Sequence, residues 1–174
     1  MYIGLDLGTS GLKAILIDDA QQIVAEASAP LTVQRPHPAW SEQTPADWLV
    51  AAGAVMADLG TQASLDAVRG IGLSGHMHGA TLIDAAGVVL RPCMLWNDTR
   101  SAHEAAEMDA DPAFRRITGN IVFPGFTAPK VAWVRRNEPA IFDRIAKVLL
   151  PKDYLRYWLT EEAVAEMSDA AGTS

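Results

Sequence analysis

The chain has 174 residues, of which 49% are hydrophobic and 20% charged, a balance typical of a globular domain rather than a disordered chain. Its formal net charge is −7 and no basic run stands out, so we expect no nucleic-acid partner. The single cysteine, Cys93, excludes an internal disulfide and cannot build a zinc site alone.

The N-terminus does not have the features of a signal peptide. It lacks a basic segment, and the carboxylate of Asp6 interrupts its apolar run. No apolar stretch is long enough to cross a membrane. We therefore expect a cytoplasmic protein with no membrane partner.

Three strands joined by tight turns open the predicted fold. Residues 2–8 alternate apolar and small side chains, and residues 12–17 and 23–29 continue the pattern as an antiparallel meander. A helix follows from Thr44-Pro45, where a hydroxyl cap and a proline at the first helical position are typical of a helix start. Apolar residues then recur at helical spacing as far as Leu59.

The remainder of the chain mixes strands and helices. We predict a buried strand at 68–73, a hairpin around Ala86-Gly87, and further strands at 147–150 and 163–167. Helical patterns cover 98–108, 112–117, 128–136 and 153–159. Strands first, then mixed helices and strands, predict an α/β layered domain with a mixed sheet.

The first candidate site is the segment 4–13, with the sequence GLDLGTSGLK. Asp6 lies mid-strand among apolar residues, where an unpaired buried carboxylate is costly, so we expect it to have a metal or a donor as partner. The turn of Gly8, Thr9 and Ser10 can aim backbone N–H groups at a phosphate. Lys13 is a further candidate contact, although a surface or structural role is favoured for it. The alternative is a plain hairpin in which backbone donors satisfy Asp6.

Three segments of the chain resemble motifs of known families. Segment 4–13 resembles the first phosphate motif of the actin, Hsp70 and sugar-kinase superfamily. Residues 125–137 (GFTAPKVAWVRRN) resemble the first signature of the carbohydrate kinases named for their FGGY motif, and residues 96–100 (WNDTR) resemble that family's sugar-site segment. The resemblance runs from residue 1 to residue 174 and implies a ribonuclease-H-like α/β fold.

Within that family the chain is most similar to the kinases that act on xylulose. Residues 75–80 (GHMHGA) resemble their substrate loop, where a glycerol kinase would carry an Arg-Glu pair. Residues 38–43, 124–130 and 150–155 are similar to the same group. One departure is Glu161, where the family has a glycine, and we expect it to affect only that turn.

The resemblance implies a sugar site built from Met77, His78, Trp96, Asn97 and Asp98. His78 follows a strand in a glycine-flanked turn, where an imidazole can bond sugar hydroxyls. The alternative for His78 is a histidine of a surface turn. For Asn97 or Asp98, the alternative is to cap the helix that follows.

Three neighbouring residues have simpler interpretations. His76 is interpreted as a histidine of a surface turn, and Arg100 as a solvated helix residue. Lys130 could contact phosphate, but a surface or structural role is favoured. None of the three is included in the candidate site.

The resemblance implies ATP-dependent phosphorylation of D-xylulose to xylulose 5-phosphate. Asp6 would hold Mg²⁺ through water, and Thr9 and Ser10 would face the phosphates. The family's aspartate base, second phosphate loop and adenosine pocket lie in later segments and a C-terminal nucleotide domain. We therefore expect residues 1–174 to be a truncated N-terminal domain, inactive alone and self-associating as a homodimer. The alternatives are a kinase for ribulose or glycerol, and a non-catalytic sugar-binding or self-associating domain.

Overall fold

The computed structural model describes residues 1–174 and divides into two compact units. The first unit comprises Met1–Val33 and Ala46–His76, and the second comprises Gln34–Pro45 and Met77–Ser174. No helix in either unit combines the length and the apolar character needed to span a bilayer.

Strands and helices alternate along most of the chain. The strands are β1 Tyr2–Leu7, β2 Gly11–Ile17, β3 Ile23–Pro30, β4 Glu42–Gln43, β5 Ile71–Gly75, β6 Thr81–Ile83, β7 Cys93–Met94 and β8 Lys147–Leu149. The α-helices are α1 Pro45–Gln62, α2 Ala102–Ala110, α3 Pro112–Thr118, α4 Thr127–Asn137, α5 Pro139–Phe142, α6 Pro151–Thr160 and α7 Met167–Ala170. A 3₁₀ turn, Ala171–Thr173, follows α7. The predicted α/β class with a mixed sheet is confirmed.

The first unit is built on one four-stranded sheet in the order β3-β2-β1-β5. Strands β1, β2 and β3 form the predicted antiparallel meander, and β5 joins β1 in parallel. Alternate residues of β1 and β2 are buried, as is a stripe on α1 at helical spacing, because a sheet face and a helix face each need apolar cover. These core side chains are Ile3, Leu5, Leu7, Leu12, Ala14, Leu16, Trp48, Ala52, Val55 and Leu59.

The strand predicted at residues 68–73 is the main correction in the first unit. It begins three residues later, at Ile71, and it is an edge strand rather than a buried one. Ile71 is 41% exposed because β1 covers β5 on one side only. Residues 68–70 instead form the connection into the strand, with Val68 N–H donating to the carbonyl of Leu65.

The second unit carries two small two-stranded sheets and most of the helices. β4 pairs with β7 and β6 pairs with β8, both antiparallel. Their core is a cluster of Ala80, Leu82, Met94 and Val134. Six partly buried apolar side chains pack against this cluster: Leu90, Val131, Trp133, Ile141, Phe142 and Ile145. The predicted helices over 112–117, 128–136 and 153–159 are present as α3, α4 and α6.

Two predictions in the second unit needed correction. The turn at 84–87 forms, with the Asp84 carboxylate accepting from the N–H of Ala86 and Val88, but the return arm makes only one bridge, and β6 pairs with the distant β8. No strand forms at 163–167. The side chain of Glu166 instead caps α7 by accepting from two backbone N–H groups.

Glu161 occupies the position where the family pattern has glycine. It ends α6 in the left-handed conformation, with φ 60°, which favours glycine because other residues place Cβ near a carbonyl. The departure lies at the end of one helix.

Candidate functional site

Asp6 lies on the open face of β1 and is exposed, so the predicted burial of this carboxylate is wrong. The reason is strand alternation: Leu5 and Leu7 face the core, which turns Asp6 to the opposite side. Its Oδ1 accepts a hydrogen bond of 2.8 Å from the Ser74 hydroxyl on β5. Asp6 therefore has a donor partner and remains accessible.

The turn after β1 is closed by backbone bonds. Gly8 N–H donates to the carbonyl of Gly11 at 3.0 Å, and a Cβ on Gly11 would meet the carbonyl of Ala29 at 2.9 Å. Ser10 lies exposed at the tip beside the half-buried Thr9. The close approach of backbone to backbone explains the glycines and leaves the two hydroxyl residues at the outside of the turn.

Lys13 shares the open face with Asp6. The two residues are directly opposite in the β1–β2 register, and both are exposed. Directly opposed residues of an antiparallel pair project to the same side of the sheet. A carboxylate and an ammonium therefore stand next to a hydroxyl-bearing turn, an arrangement able to bind a metal–phosphate group.

The residues around Asp6 fit a hydrated magnesium ion rather than a fully protein-bound one. No three histidine, cysteine or acidic side chains come together anywhere in the structure as a potential metal cluster. Mg²⁺ keeps several waters and is held by one or two carboxylates with substrate phosphates. One accessible carboxylate beside a serine hydroxyl matches that requirement.

His78 is held in a strained backbone conformation in the second unit. Its φ is 63°, in the left-handed region that a residue with a Cβ seldom adopts. Its carbonyl accepts from the Lys130 ammonium at 2.9 Å and from the Thr127 hydroxyl at 3.2 Å. The imidazole packs against Phe126, with ring centroids 4.7 Å apart. Met77, beside it, is 47% exposed.

The surroundings of the His78 imidazole favour its uncharged form. Burial first, and then the nearby charge of Lys130, lower its pKa, while the Gly172 backbone and Asp169 oppose that shift. A neutral imidazole has one donor and one acceptor nitrogen, which suits a hydroxyl-rich ligand. Gly172 packs on the ring so closely that a Cβ there would lie 2.6 Å from Nδ1.

His76 differs from the surface histidine that was expected. It is only 8% exposed and meets the Trp48 ring edge-on, with centroids 5.6 Å apart. The surface-turn interpretation of His76 is therefore wrong, because the strand end brings this side chain into the core beside α1.

Trp96 and Asn97 lie in the turn after β7. Trp96 is 45% exposed and Asn97 is half-buried. Gly125 packs directly against the carbonyl of Trp96, with no room for a Cβ. The turn is thereby joined to the loop before α4, the same loop that carries Phe126 against His78.

Asp98 is fully buried and its carboxylate is saturated with protein donors. It accepts from Ser41 N–H at 2.7 Å, from Arg100 N–H at 3.0 Å and from the Arg100 guanidinium at 2.6 Å. The capping alternative is wrong, because α2 begins at Ala102 with Ser101 as its N-cap. A direct bond from Asp98 to a sugar would require one of these donors to be displaced.

Arg100 is the residue that sequence reasoning misread most. Its side chain is 1% exposed, and it bridges Asp98 and Glu42, the latter at 2.7 Å. The guanidinium carbon also lies 3.5 Å from the centroid of Trp40. The same Oε1 of Glu42 also binds Arg91, again at 2.7 Å. The available signal was the presence of opposite charges beside tryptophans in the segments 38–43 and 96–100.

Comparison with known proteins gives a consistent result. The model of the FGGY family of carbohydrate kinases, N-terminal domain, matches residues 1–174. The xylulose kinase of Escherichia coli K12 is 56% identical over 174 residues, and that of Lactococcus lactis is 40% identical over 175. The alignments cover 99% and 98% of this chain but 36% and 35% of those proteins, so the chain spans about a third of their length.

Solved structures of similar proteins share the fold. The "xyloylose kinase" of Brucella ovis has a TM-score of 0.97 and 66% identity, over 99% of this chain and 36% of that one. The xylulose kinase of Rhodospirillum rubrum has a TM-score of 0.92 and 39% identity, over 98% of this chain and 37% of that one. A Plasmodium falciparum glycerol kinase, 22% identical with a TM-score of 0.85, shares the fold over 99% of this chain and 37% of its own.

Proposed function

The chain belongs to the FGGY family of carbohydrate kinases, and on that basis we propose that it is the N-terminal domain of an enzyme that phosphorylates D-xylulose with ATP. The product would be xylulose 5-phosphate. The observation that carries the proposal is the Met77-His78 turn, which presents a neutral imidazole in a conformation maintained by α4. The similarity of the chain to xylulose kinases supports this sugar among the possible substrates.

In the first unit, the proposed role is to hold the phosphates of ATP. Asp6 orients a hydrated Mg²⁺, and Ser74 keeps that carboxylate in place through its hydroxyl. Thr9 and Ser10 face the phosphate oxygens, with Gly8 shaping the turn. Bound Mg²⁺ would neutralise the charge on the transferred phosphoryl group.

Lys13 adds a positive charge on the same face as Asp6. An exposed ammonium there favours the approach of an anionic nucleotide and contributes a point charge to phosphate binding. We assign no general base to Asp6, because its proposed place is beside the metal and phosphate rather than the sugar hydroxyl.

In the second unit, the proposed role is to bind the sugar. His78 exchanges hydrogen bonds with sugar hydroxyls, and Met77 gives apolar contact. Trp96 offers an exposed ring for the apolar face of the sugar, with Asn97 adding polar contact. Asp98 belongs to this set as the residue that holds the segment 96–100 through Arg100.

We also propose that the enzyme works in the cytoplasm, where ATP and Mg²⁺ are supplied together. The rival with most support is a kinase for another sugar or polyol, because the fold is shared with a glycerol kinase. A non-catalytic sugar-binding domain is the second rival.

The test is a substrate panel on the complete natural protein that contains this chain. ADP release is followed with D-xylulose, D-ribulose, L-ribulose and glycerol, and we expect the highest kcat/KM for D-xylulose. A higher kcat/KM for ribulose or glycerol would overturn the choice of sugar, and no ADP release with any of them would favour the non-catalytic domain.

Asp6→Asn is the matched variant for the phosphate half of the proposal. Because Asp6 is exposed, the substitution should leave the melting temperature unchanged while lowering kcat by about 10²-fold or more, the loss typical of removing one group that stabilises transition-state charge. Full activity in this variant would remove Asp6 from the proposed site.

A further inference from the structure

Lys130 is a buried ammonium without a carboxylate partner. The residue is 0% exposed, and Asp98 acts on it electrostatically without a direct ion pair. Its ammonium donates instead to two carbonyls, those of His78 at 2.9 Å and Gly125 at 2.6 Å. Burial lowers its pKa to about 8, so the charge is held there at a cost that an apolar side chain would avoid.

The two carbonyls belong to the two loops that carry the proposed sugar contacts. His78 supplies its own carbonyl and has φ 63°, a strained conformation that needs external support. Gly125 lies directly against the carbonyl of Trp96. One ammonium therefore joins the His78 turn, the 123–126 loop and, through it, the Trp96 turn.

Other groups at the start of α4 reinforce the same turn. The Thr127 hydroxyl donates to the His78 carbonyl at 3.2 Å, and Thr127 is 3% exposed. Phe126 packs against the His78 ring. The backbone and the ring of His78 are thus both held from the N-terminal turn of α4.

We propose that Lys130 is a positioning residue of the sugar site: its ammonium binds the carbonyls of His78 and Gly125 and so holds the His78 imidazole and the Trp96 ring in a fixed relation. Lys130 touches neither sugar nor phosphate in this role, which replaces the phosphate contact considered from the sequence. The inference deepens the proposed function and rests on it for the identity of the sugar.

The kinetic test compares Lys130→Met with Lys147→Met in the complete natural protein. Methionine keeps the length of the side chain and removes both hydrogen bonds, and Lys147 is an exposed lysine of β8 outside the site. We expect the KM for D-xylulose to rise about 10- to 100-fold and kcat to fall in Lys130→Met, since small misplacements of binding groups carry such losses. The KM for ATP should stay within about twofold, and Lys147→Met should match the natural protein.

Hydrogen–deuterium exchange on the same proteins gives a readout independent of activity. Amides of residues 76–80 and 123–127 should exchange at least about tenfold faster in Lys130→Met, while β1 and β2 stay protected. Uniformly faster exchange, or an equal rise in both Michaelis constants, would mean that Lys130 only stabilises the fold and would overturn the proposal.

Thr127→Val keeps the proposal testable if Lys130→Met does not fold. It removes the weaker donor to the same carbonyl with little change in shape, and we expect the same kinetic split at about 3- to 10-fold. An unchanged KM for D-xylulose in this variant would then overturn the inference. Absence of D-xylulose turnover in the natural protein would refute the proposed function instead, and the exchange experiment would still decide whether Lys130 holds the two loops.

Discussion

Replacement of Asp98 by alanine should strongly destabilise the chain. The carboxylate is fully buried and accepts from Ser41 N–H at 2.7 Å and from Arg100 through both backbone and side chain. The substitution would leave the guanidinium of Arg100, whose side chain is 1% exposed, with one carboxylate partner, Glu42. The N–H of Ser41 would also lose its acceptor.

The expected loss follows from the geometry of the pair. Removing one partner of a buried ion pair costs about 3–5 kcal/mol, because the remaining charge is uncompensated. The bond to Glu42, at 2.7 Å, persists and places Asp98→Ala at the lower end, about 3–4 kcal/mol. For a chain of this length, that corresponds to a fall in melting temperature of roughly 6–16 °C.

Urea unfolding of the 174-residue chain, followed by tryptophan fluorescence and circular dichroism, measures this loss. A double-mutant cycle with Arg100→Met isolates the coupling between the two charges. Asp19→Ala is the control, since Asp19 forms an exposed ion pair with Arg69 and should leave the midpoint unchanged. An unchanged midpoint for Asp98→Ala, or strictly additive effects of Asp98→Ala and Arg100→Met, would refute the argument from burial.

Further predictions concern the sugar site, the thiol, one helix end and the oligomeric state. In the complete protein, His78→Ala should raise the KM for D-xylulose roughly 5- to 150-fold, which corresponds to the loss of about 1–3 kcal/mol for one hydrogen bond. A rise confined to the KM for ATP would show that His78 does not belong to the sugar site. Burial raises the pKa of the Cys93 thiol to about 11, so the free energy of unfolding should fall as pH rises from about 9 towards 11, and Cys93→Ala should lack this loss. The thiol of the folded chain should also resist labelling at pH 8, and labelling as fast as in urea would contradict its burial. Glu161→Gly should raise the unfolding free energy by about 1 kcal/mol by relieving a left-handed φ, and an unchanged urea midpoint would argue against strain there. Homodimer formation stays a prediction, now based on the free edge of β5, and light scattering that shows a strict monomer at high concentration would count against it.

Local patterns in the sequence were sufficient for much of the fold. The meander followed from alternation and turn residues, and α1, α3, α4 and α6 followed from helical periodicity and proline positions. The glycines of the turn after β1 were likewise recognisable from the turn pattern, although only the contact at Gly8 is local, since Gly11 meets the carbonyl of Ala29 on the neighbouring strand. The family was identified from short motifs for the same reason.

Tertiary structure alone decided which side chains are buried and what they bind. Asp6 proved exposed because the core lies on the opposite side of β1, and β6 paired with β8 across more than sixty residues rather than with its own hairpin arm. The burial of Arg100 depends on Glu42 and Asp98 meeting from separate segments. The role of Lys130 depends on two carbonyls, one of them 52 residues away, and no local pattern records such a distance. Periodicity reports which residues share a face, whereas the partner of a buried charge is set by the long-range packing of the folded chain.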